Sequence, residues 1–114
     1  ARKKLEVLAR KKLWQSGQLK PYYAELTFIL REYLQKRYGI PALESTTEET
    51  LAYLQQQDFP EALRQPLAET LLQADLVKFA KSMPPESFHE QALQQVQTLV
   101  ETTREVSAPA EVPA

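Results

Sequence analysis

Along residues 21–38, PYYAELTFILREYLQKRY, seven apolar or aromatic side chains fall on one side of a helix: Tyr22, Tyr23, Leu26, Ile29, Leu30, Tyr33 and Leu34. At 100° per residue they cover close to half the circumference, wider than a surface helix needs against one neighbour. A helix of this kind has to be surrounded by others. The segment therefore predicts an all-α fold, a single compact bundle of about five helices with this second helix central. Its end is equally well marked: Gly39 can take the left-handed conformation of a helix stop, Ile40 can fold back on Leu34, and Pro41 forbids continuation. Next, Ser45-Thr46-Thr47-Glu48-Glu49 offers a capping box in either register, Ser45 with Glu48 or Thr46 with Glu49. These hydroxyls serve first as caps for N–H groups that would otherwise be orphaned, although a Thr-Thr pair before acidic residues is also a phosphorylation pattern.

The remaining elements follow from spacing and stops. Leu5, Leu8, Ala9 and Leu13 recur at helical intervals before Gly17 and predict a first helix over 2–16, with Val7 and Trp14 off its apolar stripe. The third helix opens at the capping box and turns Leu51 and Leu54 inward. Pro66 suits a first helical turn, so a fourth helix is expected over 66–81, broken by Met83-Pro84-Pro85. A fifth over 85–104 puts Phe88, Ala92, Leu93, Val96, Leu99 and Val100 on one face. Together these make one helical domain, residues 1–104. Residues 105–114 lack both periodicity and apolar mass and read as a disordered tail. No internal repeat and no alternating strand pattern is visible.

Composition excludes whole classes of chemistry. The chain of 114 residues has no Cys and one His, which leaves no disulfide framework, no thiolate zinc site and no cysteine nucleophile. No metal site and no cofactor are predicted. Its two glycines, Gly17 and Gly39, are helix stops far apart rather than a phosphate loop. No nucleophile elbow occurs, and no catalytic residues are assigned. His89 falls within the apolar stripe of the fifth helix and reads as a packed histidine with one polar contact. No run of about 18 apolar residues is present to cross a bilayer, and no secretory signal leads the chain. A first residue of Ala rather than Met suggests a piece of a longer protein.

Charge is divided between the two parts of the chain. Residues 1–40 carry ten Lys and Arg against three Asp and Glu, and residues 41–114 carry four against twelve, giving +7 and −8 around a net charge of −1. Arg2, Lys3, Lys4, Arg10, Lys11 and Lys12 make up much of the basic excess. Such a cluster can be a solvated helix face, a nucleic-acid patch, or the cytoplasmic flank of a transmembrane helix under the positive-inside rule. The acidic remainder counts against nucleic acid.

Two polar residues project onto apolar faces. Asp75 lies angularly between Leu71 and Phe79, and Arg37 between Leu26 and Leu30. A buried charge needs a partner, so Arg37, or failing that Arg31, is expected to pair with Asp75 where the second and fourth helices cross. A ligand site is the other reading of these two charges. Phe28 projects onto the polar side beside Glu25, Glu32 and Gln35, as an ordinary exposed aromatic or as part of a partner surface, for which Trp14 and Lys78 are further candidates.

The runs AELTFILREYLQKRYGIPALESTTEETL and LLQADLVKFAK, within a stretch from about Leu13 to Val100, resemble the cytosolic helical domain that follows the transmembrane helix in uncharacterised Bacteroidetes-type membrane proteins. Those proteins are similar to the Bat aerotolerance-operon group, encoded beside MoxR-type AAA ATPases and von Willebrand factor A proteins. The resemblance implies a cytosolic protein-interaction domain without catalytic activity of its own, at the cytoplasmic face of a bacterial inner membrane. Attachment would run through an upstream segment, and residues 1–16 would form a basic membrane-proximal helix. It also implies partners among the MoxR-type ATPases or von Willebrand factor A membrane proteins, and no nucleic acid. The alternatives are a helical nucleic-acid-binding module using the basic first helix, or a small helical enzyme.

Overall fold

A computed structural model describes residues 1–79 and 85–104. Five α-helices form the fold: α1 Arg2–Lys11, α2 Leu19–Tyr38, α3 Thr47–Gln55, α4 Arg64–Lys78 and α5 Glu86–Thr103, with short 3-10 turns at Ala42–Glu44 and Glu61–Leu63. No strand occurs among the described residues. The expected tail at 105–114, the Met83-Pro84 break and the last two residues, 80 and 81, of the expected fourth helix lie outside them.

α2 is the central element. Its Tyr22, Tyr23, Leu26, Ile29, Leu30 and Leu34 are buried, and α1, α4, α5 and the Ala42–Glu44 turn all pack on it. α1 contributes Leu5 and Leu8, α4 contributes Leu67, Leu71, Ala74 and Val77, and α5 contributes Ala92, Val96, Leu99 and Val100. Tyr33 is only half-buried, and its hydroxyl reaches Thr103 Oγ1 at 2.8 Å.

The stop after α2 follows the chemistry of its residues. Gly39 takes φ 69°, where a side chain would be strained, and donates its N–H to the Gln35 carbonyl. Ile40 is then buried in the core. The third helix uses the later of the two capping registers: the Glu49 N–H donates to Thr46 Oγ1 at 3.1 Å, and the Thr46 N–H donates to Glu49 Oε1 at 2.9 Å.

Two boundaries differ from the spacing prediction. α1 stops at Lys11 rather than 16, because Lys12 turns left-handed at φ 51° and a turn carries the chain to Gly17. A helix continued to 16 would hold Trp14 off the apolar stripe. In the turn, the indole packs on the His89 ring with centroids 5.3 Å apart, so aromatic burial offsets the strain at Lys12. At the other end of the fold, α4 ends at Lys78, and Phe79 is 62% exposed instead of continuing the buried row through Leu71.

Candidate functional site

The first turns of α2 direct Lys20, Ala24 and Phe28 along one row, four residues apart. Across from this row, the Ala42–Glu44 turn and the start of α3 bring Leu43, Glu44 and Thr46, and the last turn of α4 brings Asp75, Lys78 and Phe79. The space between is an open cleft of about 660 Å³. Phe28 at 50% and Phe79 at 62% exposure present their rings to it.

A hydrogen-bond network closes the floor. Arg31 donates through Nη1 to the carbonyls of Ala42 and Ser45 and to Thr50 Oγ1, and through Nη2 to Thr47 Oγ1 at 3.1 Å. Thr47 Oγ1 in turn donates to Asp75 Oδ2 at 2.7 Å. The guanidinium thus ties α2 to the loop and to α3, and the Thr47 hydroxyl passes that tie to α4. Partial burial pushes the Arg31 guanidinium below its ordinary value, and the nearby Asp75 carboxylate opposes the shift.

The expected Arg37–Asp75 ion pair does not form. Arg37 Nε donates to the Thr103 carbonyl on α5, and its guanidinium lies over the Tyr38 ring. Asp75 faces the α3 N-terminus instead. Angular projection placed both charges on the correct helices, but it could not show that the chain returns Thr47 to the gap. Arg31, the second choice as partner, is the cation on this network, reached through a hydroxyl and not by direct contact.

Of the three side chains expected on a partner surface, Phe28 and Lys78 line the same cleft, whereas Trp14 lies apart from them, half-buried against His89. Lys20 and Phe79 also line the cleft and were not singled out by the sequence. A row four residues apart could have found Lys20, but the exposure of Phe79 depends on where α4 ends.

His89 is a packing residue here. Its ring is buried, Nδ1 lies 2.8 Å from Tyr23 Oη, and its carbonyl accepts from Tyr22 Oη at 2.7 Å. Burial lowers its pKa, with Glu86 pulling the other way. Burial also raises the pKa of Tyr22 and Tyr23 well above the ordinary phenol value.

The basic first helix is divided by geometry. Leu5 and Leu8 point into the bundle, and cations on either flank reach carboxylates: Lys4 to Glu32 and Lys11 to Glu25 on α2, Arg2 to Glu101 on α5. Lys3 and Arg10, seven residues apart, form the outer ridge opposite the buried face, followed by Lys12 at the turn. Among the described residues these three have no salt-bridge partner.

Among the described residues no three of His, Cys, Asp and Glu gather into a possible metal set, and no helix is long and apolar enough to cross a membrane. No protein-family model matches the chain, and neither curated proteins nor solved structures yield a match.

Proposed function

We infer that this chain is a protein-interaction domain without catalytic activity of its own, the cytosolic part of a bacterial inner-membrane protein. One observation carries the interaction reading: two large aromatic rings, Phe28 and Phe79, stand exposed in a single cleft whose deeper polar groups are engaged with one another. Single exposed aromatics are common on monomers, but two converging on one cleft fit a docking surface. The network from Arg31 through Thr47 to Asp75 supports this reading, because it holds the floor rigid and leaves those side chains little freedom for chemistry on a substrate. The outer ridge of Lys3, Arg10 and Lys12 supports the membrane-proximal placement, since it suits an anionic lipid surface.

The partner expected from the resemblance is a MoxR-type ATPase or a von Willebrand factor A membrane protein. Calorimetric titration of each purified candidate, with the parent chain and with Phe28→Asp, tests the reading. Saturable binding that Phe28→Asp abolishes is the expected outcome. Parent and variant binding equally well would remove the cleft from the interaction.

A further inference from the structure

The cleft also carries information about its occupant. Five charged side chains line it: Lys20, Arg31, Lys78, Glu44 and Asp75. Arg31 and Asp75 are joined through Thr47. Lys20 and Lys78 form no salt bridge among the described residues, whereas Lys4 and Lys11 on α1 and Lys36 on α2 all reach carboxylates on α2. Lys78 instead lies over the Phe79 ring, its Nζ 5.6 Å from the centroid. The cleft therefore combines apolar lining, from Phe28, Phe79, Ala24 and Leu43, with an excess of positive charge: with Arg31 and Asp75 joined, Lys20 and Lys78 stand against the single carboxylate Glu44, and none of these three makes a salt bridge among the described residues.

We propose that this cleft docks a segment of a partner protein in which an apolar side chain is flanked by carboxylates, the apolar group against Phe28 and Phe79 and the carboxylates on Lys20 and Lys78. This rests on the protein-interaction reading and adds the chemistry of the partner. Lys20 and Phe28 are eight residues apart on one helical face, so a carboxylate and an apolar anchor roughly 12 Å apart along the segment would meet both. Apolar contact supplies most of the affinity, and the lysines select acidic over basic flanks.

The test uses the full chain and two labelled peptides of identical apolar sequence, one flanked by Glu and one by Lys, followed by fluorescence anisotropy. The Glu-flanked peptide should bind about tenfold more tightly, and the preference should shrink as salt is raised. In the double variant Lys20→Glu with Lys78→Glu the preference should reverse, and Phe28→Ser should abolish binding of both peptides. These positions are exposed and the fold should survive, which circular dichroism checks. Equal affinity for the two peptides, a preference that survives the double charge reversal, or Glu-peptide binding indifferent to Phe28→Ser would each overturn the proposal. So would concentration-dependent self-association lost in Phe28→Ser, which would assign the cleft to a second copy. If the protein partner binds through Phe28 but is indifferent to the charge reversal, the interaction reading stands and the acidic-segment proposal alone is overturned.

Discussion

Thr47 Oγ1 stands between the Arg31 guanidinium and the Asp75 carboxylate, accepting from one and donating to the other. Replacing it by Val keeps the shape and removes both bonds, leaving a half-buried carboxylate oxygen and a guanidinium N–H without that partner. Thr47→Val should therefore destabilise by about 1–3 kcal/mol in urea unfolding. A double-mutant cycle of Thr47→Val with Asp75→Asn should show coupling of at least about 0.5 kcal/mol, whereas Arg37→Gln with Asp75→Asn should be nearly additive, because those two share no partner. Coupling between Arg37 and Asp75 in place of Thr47 and Asp75 would contradict the network. His89 makes a second prediction at this scale. Its folded pKa is lowered, chiefly by burial, so the unfolded chain takes up a proton first as pH falls. The His89 contribution is intact above the ordinary histidine value, about 6.5, and is lost as pH falls from there through the folded value. Carboxylates add their own acid sensitivity, so the comparison is with His89→Gln. Between about pH 7 and pH 5 the parent's urea midpoint should fall further than the variant's. Parallel losses would mean that His89 does not sense pH.

α1 shows how far the sequence of a single element reaches. Its apolar stripe through Leu5 and Leu8 could be read from spacing, but its end could not. Lys carries no local preference for the left-handed conformation it takes at position 12, and what favours the turn is the contact of Trp14 with His89, 75 residues away in the chain. The Gly39 stop and a capping box at the start of α3 were legible because the groups they satisfy lie within four residues, while the choice of Thr46 over Ser45 as the cap was not. By the same logic Phe28 was visible as an anomaly and Lys78 as a candidate, whereas their meeting in one cleft was not, since it depends on the approach of α2 and α4. The outer face of α1 supports a further expectation. With Arg2, Lys4 and Lys11 engaged by Glu101, Glu32 and Glu25, Lys3, Arg10 and Lys12 are the cations of this N-terminal cluster left, among the described residues, to meet a polyanion. Duplex DNA should bind weakly, without sequence preference, and be released by moderate salt, while vesicles containing anionic lipid should compete for the same face. Sequence-selective duplex binding that persists at about 0.15 M salt would favour the nucleic-acid reading over membrane proximity.

At the scale of the whole fold, every other helix except the short α3 packs on α2 among the described residues, and α5 is held by α1 and α4 as well. α3 reaches α2 through Arg31, which donates to Thr47 and Thr50. The cleft inherits this dependence, since one wall is the face of α2 and the other combines the Ala42–Glu44 turn and the start of α3 with α4, whose Leu67, Leu71, Ala74 and Val77 are buried in the shared core. Leu30 is fully buried in the middle of the α2 stripe. Leu30→Ala removes three carbons from that packing, and neighbours such as Leu67 on α4 and Val96 and Leu99 on α5 cannot collapse into the space without moving those helices. The cost should be about 2–5 kcal/mol, a large part of what a domain of this size commonly has in reserve. Peptide or partner binding should weaken in the same variant if binding is measured where part of the chain is unfolded, and should recover in a stabilising osmolyte, which strengthens apolar burial without touching the cleft. Phe28→Ser should behave in the opposite way, with an unchanged denaturant midpoint and a binding loss that osmolyte does not restore. A Leu30→Ala chain as stable as the parent would show that α2 is not the element on which the bundle is assembled.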